Sequence, residues 1–315
     1  MLSIVTEGKN IIAVSGTHGK TTTTAMIAKI LMDAGRDPSV IAGSLLKDFK
    51  SNLVVGKNDL FVVEACEYER SFLNLKPEIL VITNIEADHL DYYKDLADIQ
   101  NAFKQLASQS TNVISDYSKY LDKVPKLSVP GIHNRKNAAA ALAVADLLGI
   151  KGEIAQKALA EFTGTWRRLE LRGKTSQGTI IYDDYAHHPT EVKASLEALR
   201  ELYPTGEKTL TVIFQPHLYS RTKALFDDFA KCFAGADKVL LLPIYFARED
   251  KDESVSSEKL AEAIAKEGIK VESFPNFESA EIAVSLLNLG KSDVFVTMGA
   301  GEAYKVADRV FNLTR

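Results

Sequence analysis

Cysteine is nearly absent. Cys66 and Cys232 stand far apart among 315 residues, with no Cys-x-x-Cys pair and no spacing suited to zinc. That excludes a disulfide framework and a structural zinc site, and it fits a reduced, cytoplasmic compartment. Long apolar runs are lacking too. None approaches the roughly 18 residues of a membrane span, and Met1-Leu2-Ser3 leads towards Glu7 without the apolar core of a signal peptide. There is no basic excess: 38 Lys and Arg stand against 42 Asp and Glu, a net charge of −4. Nucleic acid is therefore not an expected partner, and neither is a membrane. Hydrophobic residues make up 46% of the chain, enough at this length for two domains, each with its own core.

What is present is best read from Ile11–Thr24, IIAVSGTHGKTTTT. A β-branched run, Ile11 to Val14, ends at Ser15-Gly16. Apolar spacing after Lys20 then predicts a helix over Thr22–Ala34, stopped by Gly35. Strand, glycine turn and helix N-terminus form the backbone arrangement that cradles phosphate through N–H groups. Lys20 supplies a point charge for the β/γ-phosphates and Thr21 a hydroxyl for Mg²⁺. Gly16, Thr17, His18, Gly19 and Thr22 complete the expected nucleotide contacts. The usual phosphate loop has glycine six residues before its lysine, where this chain has Val14. The loop is thus a shorter variant, G-T-x-G-K-T, hinged at Gly16 and Gly19.

Two further apolar runs read as buried parallel strands. Leu60–Val63 delivers Glu64; Ile79–Ile82 delivers Thr83-Asn84 and then Glu86-Ala87-Asp88-His89. Before them, Val40-Ile41 leads to an expected turn at Ala42-Gly43-Ser44. Ligands of open α/β sheets collect at the carboxyl ends of strands. Lys20/Thr21, Glu64 and Asn84/His89 are accordingly expected along one edge. A carboxylate at the end of an apolar strand is costly without a partner, and Glu64 is expected to share Mg²⁺ with Thr21. Because Mg²⁺ prefers oxygen, the His89 imidazole suits a second, weaker metal site. Asp88 and Asp91 read as first-turn carboxylates of a helix. An amphipathic helix over Asp95–Ala107, a strand at Val113–Ser115 and a connection over 125–130 follow. Asn134 and Asn137, three apart, open an alanine-rich helix; their carboxamides suit an adenine edge or, equally, a helix cap. A helix over Gly152–Phe162 closes a first domain, 1–164.

From residue 165 the alternation starts afresh. Five strand-like runs (Thr179–Asp183, Leu210–Gln215, Lys238–Leu242, Val271–Phe274, Asp293–Thr297) alternate with five helical ones, among them Thr222–Phe233. That is the pattern of βαβ units, a second mostly parallel and Rossmann-like sheet. Arg167-Arg168 is either a phosphate-reaching pair or an exposed basic one. Tyr185-Ala186-His187-His188-Pro189 ends one strand; Phe214-Gln215-Pro216-His217 ends the next, ahead of Ser220-Arg221. Imidazole, phenol and guanidinium groups at two strand ends suggest a small polar pocket with Arg221 as carboxylate clamp.

With these stretches assembled the chain resembles the Mur ligase family, and within it the alanine-adding branch. The matching pieces are SGTHGKTTTT, VVEACEYERSFL, ITNIEADHLDYY, VPGIHNRKNAAAA, WRRLEL, YDDYAHHPTEV, FQPHLYSRT and MGAGEAYK, in the family's order over nearly the whole chain. The resemblance implies a cytoplasmic, ATP-dependent amide ligase of peptidoglycan precursor synthesis. ATP phosphorylates the carboxylate of UDP-N-acetylmuramate, the amine of L-alanine attacks the acyl phosphate, and ADP and phosphate leave. It implies ATP and Mg²⁺ as cofactors, with Lys20, His187 and Arg221 as the catalytic set. Thr21, Glu64 and His89 would hold metal, Asn134 and Asn137 adenine, and Arg167 or Arg168 the phosphates. Asn84, Tyr185, His187 and Arg221 would line the substrate side.

Three departures qualify this. Leu218 occupies a position where some members carry arginine, so recognition of the amino acid falls more heavily on Arg221. Several siblings carry a carbamylated lysine where this chain has Phe103, so carbamylation is not expected. Only ten residues precede Ile11, so the family's first, UDP-binding domain is expected to lie outside this sequence, with weaker hold on the UDP-sugar. Two alternatives stand beside the main reading: a murein tripeptide recycling ligase, and a nucleotide-binding fragment or subunit without ligase activity of its own.

Overall fold

The computed structural model describes residues 2–313. Its contacts divide the chain into two compact units, Met1–Trp166 and Arg167–Arg315. Among the described residues no helix is long and apolar enough to cross a membrane.

In the first unit a short helix α1 (Leu2–Val5) precedes β1 (Asn10–Ser15), α2 (Lys20–Asp33), β2 (Ser39–Leu46), β3 (Ser51–Val54), β4 (Leu60–Glu64), β5 (Ile79–Ile82), α3 (Leu96–Ser108), β6 (Asn112–Ile114), α4 (Ile132–Leu147) and α5 (Gly152–Ala160). The sheet order is β3-β2-β4-β1-β5-β6, all parallel except the antiparallel edge pair β2–β3. Successive side chains of a strand face opposite ways, and β1 shows what this does. Ile12 and Val14 join a core with α2, α4 and α5, while Ile11 and Ala13 join another with Phe72, Phe103 and Leu106. Both faces are covered, which is why the run is apolar throughout. The alanines of α4 are all buried; small side chains let the helix lie close to its neighbours.

Several expectations need correction. Ala42-Gly43-Ser44 is not a turn but the middle of β2, whose pairing with β3 is irregular between Ile41 and Leu46. Asp88 and Asp91 lie in irregular chain; the next helix begins only at Leu96, capped by Asp95 accepting from Asp98 N. A 3₁₀ segment over Ser118–Lys123 falls in a stretch without apolar periodicity.

The second unit runs β7 (Glu170–Lys174), β8 (Ile180–Asp184), α6 (Pro189–Leu202), β9 (Thr209–Phe214), α7 (Tyr219–Ala224), α8 (Phe226–Lys231), β10 (Lys238–Leu241), α9 (Ser257–Lys266), β11 (Lys270–Ser273), α10 (Phe277–Leu286), β12 (Asp293–Met298) and α11 (Tyr304–Val310). Its sheet order is β11-β10-β9-β12-β8-β7, six strands rather than five. The additional strand, β7, is the antiparallel edge, and its sequence ELRGK hides nothing apolar to betray a strand; charged edges discourage further pairing. The helix expected over Thr222–Phe233 is two short ones, broken at Leu225.

Candidate active site

In the first unit β4, β1 and β5 are neighbours, so their carboxyl ends deliver Glu64, the Gly16–Lys20 loop and Thr83-Asn84 side by side. The loop is fixed by close approach. Gly16 has φ +135°, and a Cβ there would lie 2.1 Å from Thr83 Oγ1; Gly19 has φ +82°, and its Cβ would lie 2.5 Å from Asn137 Oδ1. Only glycine satisfies both the left-handed backbone and the space. Helix α2 starts at Lys20, so its first N–H groups, which have no partners within the helix, open towards the loop.

Thr21 Oγ1 donates to Glu64 Oε1 at 3.0 Å, and Gly43 N donates to Glu64 Oε2 at 2.6 Å. A hydroxyl and a carboxylate held together beside a phosphate loop are oxygen donors of the kind Mg²⁺ takes. Lys20 Nζ donates to Gly16 O at 2.5 Å, Thr17 O at 3.1 Å and Glu67 Oε1 at 3.1 Å. Burial acts to lower the Lys20 pKa, but Glu67, Cys66 and Glu64 more than offset it, so the pKa stands raised and the ammonium stays charged. His89, at φ +54°, points Nε2 to within 3.7 Å of Glu67 Oε1 and 3.8 Å of Asp88 Oδ2.

Other residues expected at the site also brace the loop. Asn84 was expected to meet substrate; here His18 N donates to its Oδ1 at 2.9 Å and its Nδ2 donates to His18 O at 3.1 Å. Thr17 was expected to meet nucleotide; its N donates to Asn84 O at 3.0 Å and its Oγ1 accepts from Glu86 N at 2.8 Å. Asn134 and Asn137 are both buried, and neither caps α4, whose cap is Gly131. Asn134 Nδ2 donates to Pro130 O at 2.7 Å, while Asn137 lies against Gly19, beside the phosphate loop. Thr22 is buried in the first turn of α2. Cys66 is exposed and Cys232 buried, both free.

In the second unit Arg167, expected as one of two arginines that could reach phosphate, is engaged with Asp183 and the backbone beyond β12. The residue is 3% exposed, and its guanidinium pairs with Asp183 through Nε at 3.0 Å and donates to Gly299 O at 2.7 Å and Gly301 O at 3.1 Å. These three bonds tie the strand end of β8 to the residues just past β12. Arg168 is more exposed, 3.9 Å from Glu191 and stacked over Tyr185. His188 caps α6 in a capping box with Glu191, and Pro189 takes the first helical position. His187 sits between them: Nδ1 lies 3.2 Å from Glu191 Oε2 and 3.0 Å from Tyr185 O.

Rings continue the site across β8 and β9. Tyr185 meets His187 at 5.4 Å, His187 meets His217 at 6.0 Å, and His217 stacks on Tyr245 at 5.4 Å. Arg221, 8% exposed, sets Nη1 3.3 Å from both His217 Nδ1 and His217 O. His187 and Arg221 thus meet at His217, with Tyr185 beside His187. Leu218 is buried at φ +72°. Sequence reasoning missed Glu67, Glu191 and Asp184. The first lay in plain view three residues beyond Glu64, where a strand-end carboxylate invited the same question.

A phosphate loop at the edge of one mostly parallel sheet and a cluster of Arg221, imidazoles and tyrosine at the edge of a second define a two-domain nucleotide-dependent α/β enzyme class. Residues 14–124 match the Mur ligase middle domain, and residues 167–301 the Mur ligase, glutamate ligase domain. The chain belongs to the Mur ligase family. It is similar to the UDP-N-acetylmuramate–L-alanine ligases of Clostridium botulinum (39% identity, 96% of this chain and 75% of the relative) and Agathobacter rectalis (38%, 94% and 74%). The Clostridium match extends over 350 positions, more than the 315 residues here, so the relative carries extra residues within it. Among solved structures, the UDP-N-acetylmuramate–alanine ligase of Thermotoga maritima superposes with a TM-score of 0.81 at 26% identity, covering 98% of this chain and 76% of that one. A murein peptide ligase from Psychrobacter arcticus shares the fold (TM-score 0.66, 22% identity, 97% and 77% covered).

Proposed function

We propose that this chain is an ADP-forming amide ligase that joins L-alanine to the carboxylate of UDP-N-acetylmuramate, in the cytoplasm, for peptidoglycan precursor synthesis. The observation that carries the nucleotide half is the Thr21–Glu64 pair beside Lys20 and the glycine-constrained loop. Thr21 and Glu64 would hold Mg²⁺, with His89 serving a second metal; the metal supplies charge neutralisation on the phosphates. Lys20 and the N-terminus of α2 orient the phosphates of ATP. Asn137, packed on Gly19, takes the purine side with Asn134.

The amine half is the second unit's cluster. Arg221, steadied by His217, binds the carboxylate of the incoming amino acid. His187, fixed by Glu191 and the Tyr185 carbonyl, stands where the amine would shed its proton before attacking the acyl phosphate. Arg168 is the arginine available to phosphate. Positioning supplies most of the catalysis in such a transfer.

The test is phosphate release with ATP, Mg²⁺, UDP-N-acetylmuramate and each of L-alanine, glycine, L-serine or the murein tripeptide. Alanine-dependent release is expected. Dependence on tripeptide would move the chain to the recycling ligases, and tight ATP binding with no release in any mixture would make it a non-catalytic nucleotide binder. Lys20→Ala should abolish nucleotide binding; unchanged turnover would remove the loop from the mechanism.

A further inference from the structure

Glu67 has no part in the reaction as derived above, yet it is placed at considerable cost. The residue is 2% exposed, and a carboxylate so buried needs positive partners. It has one in Lys20, whose Nζ lies 3.1 Å from Oε1 and 3.0 Å from Oε2, and the His89 imidazole Nε2 lies 3.7 Å from Oε1. The backbone is pinned as well, for Tyr93, buried in the second core of the unit, donates its hydroxyl to Glu67 O at 2.5 Å.

Lys20 is correspondingly committed. An ammonium has three donors, and here its partners are Gly16 O, Thr17 O and Glu67. A phosphate arriving at this loop must draw the ammonium away from some of them. The Glu67 carboxylate is then short of one positive charge in a place water barely reaches. A divalent cation bound by Thr21 and Glu64, three residues before Glu67, brings two.

We propose that Glu67 is a further acidic member of the phosphate–metal half-site, which competes with phosphate for Lys20 and thereby couples nucleotide binding to the divalent cation. The inference rests on Lys20 being the phosphate ligand. Without metal, nucleotide must break the Lys20–Glu67 pair uncompensated; with metal, a cation held by Thr21 and Glu64 would supply positive charge to offset the loss. Glu67 is a positioning residue in this scheme, acting through Lys20 and the cation.

The test is ADP affinity of the full chain, measured by calorimetry in chelator and at saturating Mg²⁺. For Glu67→Gln, nearly isosteric, metal-free ADP is expected to bind several-fold tighter than to wild type. The enhancement by Mg²⁺ is expected to shrink by at least about fivefold, the lower end of ordinary coupling between sites. Glu67→Asp keeps the charge one methylene farther from Lys20 and should fall between the two; it serves if the Gln variant does not fold. Metal-free affinity and Mg²⁺ enhancement both equal to wild type would overturn the proposal, as would weaker metal-free binding in a variant with an unchanged melting temperature. Lys20→Met in the same titrations separates the underlying reading. If it leaves ADP affinity unchanged, Lys20 is not the phosphate ligand and the competition falls with it; if it weakens binding while Glu67→Gln has no effect, only the role of Glu67 fails.

Discussion

Asp184, 4% exposed, ends β8 with its carboxyl group accepting from Ser195 Oγ and from Ala186 N at 3.2 Å. Burial pushes its pKa up to about 6, with Glu191 adding to the rise and Ser195, Arg168 and the Ala186 N–H opposing it. An unfolded aspartate titrates near 4. Between these values the native state keeps a proton that the unfolded chain has released. This group's contribution to stability is therefore complete below about pH 4 and is lost as pH rises through about 6. Asp184→Asn should remove that falling limb, so wild type and variant stabilities, measured by urea unfolding, converge or cross between pH 4 and 6. A carboxyl titration of Asp184 with a midpoint near 4 would contradict the assignment. The consequence is functional too, since Asp184 anchors the turn that carries Tyr185 and His187.

Between β1 and α2 the limiting feature is the approach of Gly16 to β5. Gly16→Ala sets a methyl 2.1 Å from Thr83 Oγ1 at φ +135°, and backbone strain alone costs about 1–3 kcal/mol. Thr83 in turn holds the loop, donating to His18 O at 2.6 Å. The clash can be told from the strain by a double-mutant cycle. In the Gly16→Ala/Thr83→Ala chain, chemical denaturation should show less loss than the sum of the single changes; strict additivity would mean that the two side chains do not meet. Arg167 makes the matching case in the second unit. Losing a buried charge that pairs with Asp183 costs about 3–5 kcal/mol, so Arg167→Met should lower the denaturation midpoint markedly with no need for any loss of phosphate contact. The elements that carry these residues were legible because β1, β4, β5, β8, β9 and β12 are buried on both faces and largely apolar, and a run of that kind announces itself. β3 and β7 were not, because an edge strand need bury little, and the break at Leu225 leaves no glycine or proline to mark it. Roles were harder than elements. Lys20, Thr21 and Glu64 follow from loop chemistry, whereas Asn84 and Arg167 have side chains that would serve a ligand equally well and that also hold backbone groups and, for Arg167, the Asp183 carboxylate. Spacing along a sequence does not say which partner a donor will find.

The whole chain carries two chemistries on two sheets, each at the carboxyl edge of its own strands and each above cores built from its own helices. Such sheets repeat one solution: apolar strands buried on both faces fix the frame, and polar residues just past the strand ends take the ligand. It follows that nucleotide and amino acid should leave separate footprints. Ligand held at one edge stabilises the segments that touch it, raising their free energy of opening by RT ln(1 + [L]/Kd), about 2.7 kcal/mol at a hundredfold excess over Kd. In hydrogen exchange on the full chain, ADP with Mg²⁺ should protect residues 15–24, 64–67 and 132–137. L-Alanine should protect 183–191 and 215–221, and Arg221→Ala should erase the alanine footprint while leaving that of ADP intact. Segments that gain protection only when both ligands are present would be those through which one half-site senses the other. An alanine footprint that survives Arg221→Ala would move the carboxylate clamp elsewhere, and with Leu218 buried and apolar the next candidate cation is Arg168.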